Sequence, residues 1–219
     1  MRISGSVQTL DSDVLKNIKR SNISGDNLME LAVEAAEIDA DSRSEIILAL
    51  PGESLKSHFQ TIKTVADSGF NHVNTYQLMM LPGTEIDSPE TREKYGMKTR
   101  FRILPRCFGY FEVLGKQVIA AEIEEVCIST NTLPFEDYVK CRKMHLLIHI
   151  FHNDGLFSSA LKFIEFLKLS PYRWLELLFE EEMKGGVKEL FDKFEQDTRN
   201  ELWIKRDELV HNIQNPGII

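Results

Sequence analysis

Residues 44–54 read S-E-I-I-L-A-L-P-G-E-S and contain one complete step from a strand to a helix. The apolar run at 45–50 predicts a buried strand, and the Pro51-Gly52 pair predicts the turn that ends it before a helix opens behind Glu53. Glu45 lies in this strand where a fully buried strand would carry another aliphatic residue. An ionised carboxylate inside a sheet is costly unless a group pairs with it, so Glu45 is the first candidate for a functional residue.

Similar units lie on both sides of this step. Residues 2–8 alternate enough to form a strand, and Asp11 or Ser12 is placed to cap a helix that reaches residue 20. Further helices are predicted after residue 26 and over 55–68, where Gly69 is the expected C-terminal stop. A third strand at 72–79 runs into a second Pro-Gly turn. Strands alternating with helices are typical of parallel βα units, which bind ligands at the carboxyl ends of their strands.

Composition limits the classes of function. The chain has 219 residues, 42% of them hydrophobic, and a net charge of −8, which argues against a nucleic-acid binder because such affinity rests on basic residues. No apolar run reaches the length of a membrane span and no leader pattern is visible, so we expect a cytoplasmic protein without a membrane partner. Cys107, Cys127 and Cys141 lie too far apart to indicate a disulfide framework or paired metal ligands.

Three segments in order resemble a known family. They are S-V-Q-T-L at 6–10, I-L-A-L-P-G-E at 47–53, and Y-Q-L followed by L-P-G-T at 76–84. Together they resemble strands four to six of the radical S-adenosylmethionine (SAM) core, whose typical motifs are G-x-Q-S, I-x-G-L-P-G-E-T and a last strand closing on P-G-T. The resemblance covers residues 3–86 well and continues more weakly into tails that often accompany an upstream cobalamin-binding domain.

The resemblance implies an α/β fold, a partial parallel (β/α) barrel of the TIM type, with an α-helical C-terminal extension. It divides the chain into the C-terminal half of the barrel (1–86), a region completing the barrel mouth (87–135) and the helical extension (136–219).

The resemblance also implies the cofactors. In this family three cysteines hold a [4Fe–4S] cluster that reductively cleaves SAM to a 5′-deoxyadenosyl radical, and the protein orients and shields the reactants. By motif, Gln8 and Arg20 would contact the ribose and the carboxylate of SAM, since the planar guanidinium suits a carboxylate. Glu45 takes the place of a strand acid that accepts hydrogen bonds from ribose hydroxyls. The alternatives are that Gln8 caps a neighbouring helix, that Arg20 pairs with a surface acid, and that Glu45 lies exposed at a strand start. No catalytic residue is assigned.

Departures from the family motifs shape the functional expectation. Thr9 replaces a Ser, Ala49 replaces a Gly that lets the strand approach the cofactor, and C-x-x-x-C-x-x-C is absent. We therefore expect the cluster ligands in an upstream segment of the same protein and no turnover by this chain alone.

With an upstream cobalamin domain, the implied reaction is methyl transfer to, or rearrangement of, a small-molecule substrate. The alternative is a non-catalytic, degenerate half-barrel that binds a ligand or a partner. RNA modification is a third possibility, and the acidic charge counts against it.

The second half of the chain gives weaker signals. Residues 87–106 are polar and turn-rich, and Tyr95-Gly96 marks a loop. Phe108, Tyr110 and Phe111 are predicted to be core, and the alternative, implied by the resemblance, is that this zone shapes a substrate pocket at the barrel mouth. Cys141, His145, His149 and His152 share one face of a predicted helix that begins at Pro134. A straight helix spreads four such residues over three turns, so we interpret them as core or interface side chains and not as a metal site. Residues 156–213 are predicted to be helical, with breaks at Pro171 and at Gly185-Gly186.

Overall fold

The structure is a computed structural model that describes residues 2–21, 25–38 and 40–214. The strands of this described part are β1 (Arg2–Ser4), β2 (Asp41–Leu48), β3 (His72–Gln77), β4 (Lys98–Val113) and β5 (Lys116–Ser129). The helices are α1 (Ser12–Asn17), α2 (Gly25–Glu37), α3 (Leu55–Asp67), α4 (Pro89–Lys94), α5 (Phe135–Ile148), α6 (Ser158–Phe166), α7 (Pro171–Glu180), α8 (Gly185–Asn200) and α9 (Arg206–Gln214). A π-helical segment, His149–Asn153, continues α5.

The predicted parallel βα units are present. β1, β2 and β3 form a parallel sheet in that order, with Glu45 of β2 opposite Asn74 of β3. Asp11 caps α1 through its carboxylate, and Ser54 caps α3 with Ser57 in a reciprocal capping box. Strand β1 is shorter than predicted, ending at Ser4, although the chain stays beside β2 as far as an isolated bridge at Gln8.

The two faces of the sheet differ in exposure. Along β2, Ser42, Ser44, Ile46 and Leu48 are buried, whereas the alternate residues Asp41, Arg43, Glu45 and Ile47 are half-buried. Helices therefore cover one face and leave the other partly open. The α/β class with a parallel sheet is confirmed, while three strands form an open sheet and the barrel stays a prediction.

Helices from the second half of the chain complete the core behind the sheet. Ile62 and Val65 of α3 pack in one cluster with Leu147 of α5, Leu175 of α7 and Phe191 of α8. Burying such side chains contributes about 1.5–3 kcal/mol each, so these helices share the stability of the sheet. The division of the chain at residues 86 and 135 remains a prediction.

Residues 87–106 contain the turn at Tyr95-Gly96 and more regular structure than their composition indicates. This segment contains helix α4 and the first part of β4, which pairs with β5 in a long antiparallel hairpin. The last residues of β5, 126–129, are apolar or small and buried. A two-stranded ribbon needs no continuous apolar face, so its strands can carry many polar residues. For this reason the first part of β4 does not stand out as a strand in the sequence.

The aromatic cluster on this hairpin is not core. Phe108, Tyr110 and Phe111 are 37%, 60% and 56% exposed. The outer part of the hairpin has no other element packed over it among the described residues, and its base is held by the bridge between Phe101 and Trp203. The prediction that these three aromatic side chains belong to the core is therefore wrong.

The C-terminal region is helical, as predicted. Pro171 opens α7 and the chain breaks at 181–184 just before Gly185, the first residue of α8. The predicted continuous tail is instead two helices, α8 and α9, separated by the segment that bridges to β4. Within the described residues, no helix combines the length and the apolar character needed to cross a membrane.

Candidate functional site

Two strained residues stand at the carboxyl ends of adjacent strands. Gln8 has φ 60° and Ala49 has φ 69°, a left-handed conformation that non-glycine residues adopt at a cost. Such strain clusters at functional sites, and the carboxyl ends of parallel strands are where ligands bind. The position explains why a Gly suits residue 49, since the methyl group of Ala49 is tolerated in this conformation but not favoured.

Ser6 links two of the three predicted cofactor contacts, and Gln8 is bonded to one of them. Its hydroxyl donates to Glu45 Oε2 at 2.7 Å, and its carbonyl accepts from a terminal nitrogen of Arg20 at 3.2 Å. The backbone N–H of Gln8 donates to the carbonyl of Glu45 at 2.8 Å. Gln8, Arg20 and Glu45, spread over 38 positions of sequence, therefore meet at one place on the open face.

The chemistry of this group suits a polar ligand that carries hydroxyls and a carboxylate. Glu45 and Gln8 are half-buried and Arg20 is exposed. The Gln8 side chain has no hydrogen-bond partner among the described residues. Glu45 lies in the middle of β2, so it is neither the fully buried acid nor the exposed strand start that the sequence allowed. Sequence reasoning missed Ser6, although its place two residues before Gln8 put it on the same strand face.

The turn that follows Ala49 is fixed from several sides. Glu53 Oε2 accepts from the Ala49 N–H at 2.7 Å, and the Thr132 hydroxyl donates to the Glu53 carbonyl at 2.7 Å. Asn17 donates to the Pro51 carbonyl at 3.0 Å. Gly52 has φ 87°, and a Cβ there would lie 2.5 Å from Asn17 Nδ2, so both conformation and space require glycine.

A buried chain of three polar side chains runs from this turn into α5. Glu53 Oε1 lies 2.9 Å from His58 Nδ1, and His58 Nε2 lies 2.8 Å from His145 Nε2. Because a carboxylate accepts, the proton of His58 is on Nδ1, its Nε2 accepts, and His145 donates from Nε2. Burial, then the neighbouring His58 and Arg142, holds the pKa of His145 well below its usual range. His145 is therefore neutral, and its Nδ1 is an acceptor.

The other members of the predicted Cys-His face go separate ways. Cys141 and His152 are buried, His152 beside Asn153, whereas His149 is exposed near Asp154. The interpretation of a largely buried helix is confirmed. Among the described residues, no group of three or more His, Cys, Asp or Glu side chains is arranged to hold a metal ion.

The cysteines do not form a site for an iron–sulfur cluster. All three are free thiols, and burial raises the pKa of Cys127 to about 12 and raises that of Cys141 further still. Cluster ligands are thiolates, which these buried environments disfavour. The chain's own residues therefore do not fit the cluster.

Comparison with known proteins gives the following likenesses. No protein-family model matches the chain. It is 32% identical over 150 residues to the cobalamin-dependent radical SAM methyltransferase TokK of Streptomyces tokunonensis, covering 68% of this chain and 21% of that protein. It is 31% identical over 150 residues to the 2-(S-pantetheinyl)-carbapenam-3-carboxylate methyltransferase of Streptantibioticus cattleyicolor, with the same coverage.

Among solved structures, it is similar to the coproporphyrinogen III oxidase HemN of Escherichia coli, a radical SAM enzyme. That match has 22% identity and a TM-score of 0.35, and it covers 42% of this chain and 24% of that one. The chain thus spans about a fifth of the length of the curated relatives it matches, at 21% of each.

Proposed function

Because this chain is homologous to one segment of the radical SAM enzymes, we propose that it forms the C-terminal half of their partial barrel and supplies part of a SAM-binding site. In this proposal the remaining strands and the cluster ligands come from an upstream segment of the same protein. The small-molecule substrate would bind where the two parts meet.

The meeting of Arg20 and Glu45 at Ser6, with Gln8 hydrogen-bonded to the Glu45 backbone, carries the proposal. These residues were selected by motif, and they lie near one another around Ser6, beside the middle of β2. A set of unrelated surface residues has no reason to meet in this way. Glu45 would accept from ribose hydroxyls, Arg20 would pair with the carboxylate, and Gln8 would offer its amide.

SAM, when bound next to a reduced cluster held by the upstream segment, supplies the radical chemistry. The residues of this chain bind and orient it. The fixed turn from Ala49 to Glu53 holds the end of β2 in place, so that the ligand meets a preorganised strand end.

The finer functional assignment follows the relatives. We propose methyl transfer or rearrangement at an unactivated carbon, with cobalamin bound by an upstream domain. Three unpaired cysteines suit a reducing compartment, so we place the reaction in the cytoplasm.

The test is SAM binding by the chain combined with its cluster-bearing segment, after anaerobic reconstitution. Isothermal titration should show Arg20→Gln and Glu45→Gln each weakening SAM about tenfold, since each removes a charged hydrogen-bond partner. Arg206→Gln and Glu112→Gln, exposed changes of the same type in α9 and β4, should leave the affinity unchanged. Equal SAM affinity in all four variants would refute the site. Binding without reductive cleavage would favour the non-catalytic half-barrel.

A further inference from the structure

A cavity of about 290 Å³ lies between the edge of β3 and helices α5 and α8. Asn74, Thr75 and Tyr76 form the strand wall, and Arg142, His145 and Phe194 lie on the helical side. β2 separates it from the strand that carries Ser6 and Gln8. Its size approaches the lower end of small-ligand pockets, about 300 Å³.

Arg142 contributes a half-buried cation to the wall of this cavity. Among the described residues it makes no ion pair, and its neighbour is the ring of Phe194, with the guanidinium carbon 5.3 Å from the centroid. Its Nε is enclosed and has no hydrogen-bond partner, and burial lowers the pKa of the guanidinium. The carboxylates that act on it, Glu124 and Glu201, are already ion-paired with Arg102, so the charge of Arg142 is available to an incoming anion.

His145 contributes an acceptor. The chain of hydrogen bonds from Glu53 through His58 fixes the proton of His145 on Nε2, which leaves Nδ1 with a lone pair. Nδ1 is enclosed and has no partner among the described residues. A buried acceptor of this kind calls for a donor. Because His145 follows Arg142 by three positions in α5, both side chains lie next to each other on one helix face.

We propose that this cavity binds a small carboxylate with an adjacent hydroxyl group, a 2-hydroxycarboxylate. Its carboxylate pairs with Arg142, and its hydroxyl donates to His145 Nδ1. A phosphate dianion suits the cavity less well, because one cation faces it and the His145 lone pair repels its oxygens. The inference uses no contact of the proposed SAM site, so the two proposals stand or fall separately.

Glycolate, the smallest 2-hydroxycarboxylate, is the probe for the experiment. Titrating the chain with glycolate should give saturable binding in calorimetry, together with a ¹⁵N shift of His145 Nδ1 in long-range proton–nitrogen spectra. Acetate lacks the hydroxyl and glycolamide lacks the charge, so each should bind about tenfold more weakly than glycolate. These two probes test both contacts without any change to the protein.

Variants complete the test. Arg142→Gln should weaken glycolate about tenfold. Lys143→Gln removes the same charge from the next residue of α5, which does not line the cavity and lies 4.0 Å from Glu195, and should leave the affinity unchanged. The proposal is overturned if glycolate does not saturate, if acetate binds as tightly, or if the two variants weaken binding equally.

Discussion

Replacement of Glu53 by glutamine tests whether the buried chain of polar side chains stabilises the fold. Glu53 and His58 are both fully buried, and the two carboxylate oxygens serve different donors, the N–H of Ala49 and the ring of His58. Glutamine keeps the shape but has a single acceptor oxygen. Whichever donor loses its acceptor then faces the NH₂ group of the new side chain.

The size of the effect follows from these contacts. A buried donor left without a partner costs about 1–3 kcal/mol, and a hydrogen bond to a charged group contributes about 1.5–3 kcal/mol. We therefore expect Glu53→Gln to lower the free energy of unfolding by about 3 kcal/mol. For a chain of this length the corresponding fall in melting temperature is about 6–12 °C.

Urea denaturation followed by circular dichroism gives the unfolding free energy. Glu182→Gln, the same change at an exposed position, should stay within about 0.5 kcal/mol of the unaltered chain. A double-mutant cycle with His58→Phe should show a coupling energy above about 0.5 kcal/mol, because the two side chains share a hydrogen bond. A Glu53→Gln variant as stable as the Glu182→Gln control would refute the reasoning.

Three further predictions follow from the same structure. Ala49→Gly should be less destabilising than Ala66→Gly by about 1–2 kcal/mol, since both remove a buried methyl but only the first relieves a left-handed alanine. Burial holds the pKa values of His145 and His152 below their ordinary value. The unfolded chain therefore takes up protons that the folded chain excludes, and stability should fall below about pH 6.5 by up to about 1.4 kcal/mol per pH unit for each imidazole. Asn153→Ala should cost about 1–2 kcal/mol, because its side chain both accepts from and donates to the β3 backbone, each at 3.0 Å.

Denaturation curves check all three, each with its own control. For the first prediction, Ala49→Gly and Ala66→Gly are compared with each other. Equal losses of unfolding free energy in the two variants would contradict the strain at Ala49. For the pH dependence, the two imidazoles should make no difference between the unfolding free energies at pH 7.5 and pH 8.5. An unfolding free energy that stays constant down to pH 5.5 would contradict the prediction. Asn153→Asp keeps an acceptor and loses the donor, so an Asp variant less stable than the Ala variant would point to charge burial instead.

Local sequence patterns predicted the sheet and its helices well. Ser54, Pro51 and Gly52 mark the start of α3 and the turn before it, and these signals act within a few residues. The motif residues Gln8, Arg20 and Glu45 lie near one another, and their roles remain predictions. Ser6 contacts Arg20 through its backbone carbonyl and Glu45 through its hydroxyl, and these contacts depend on strand pairing.

Contacts between distant parts of the chain were not visible in the sequence. The hydrogen bond between His58 and His145 joins residues 87 positions apart, and no local period announces it. The burial of the aromatic side chains on the hairpin was predicted wrongly for a different reason. Phe108 and Tyr110 are typical of a strand, but burial depends on what packs over a strand, and the pattern of one segment does not contain that information.

The side chain of Asn153 limits the edge at which a further strand can join the sheet. By occupying the outward N–H and C=O of Val73, it stands where the backbone of a fourth strand would begin, and β5 takes the other end of the same edge through Leu78 and Met80. Both ends of the outer edge of β3 are thus already occupied by hydrogen bonds. Any strand that extends this sheet has to join beside β1, so a closing barrel would be assembled from one side only.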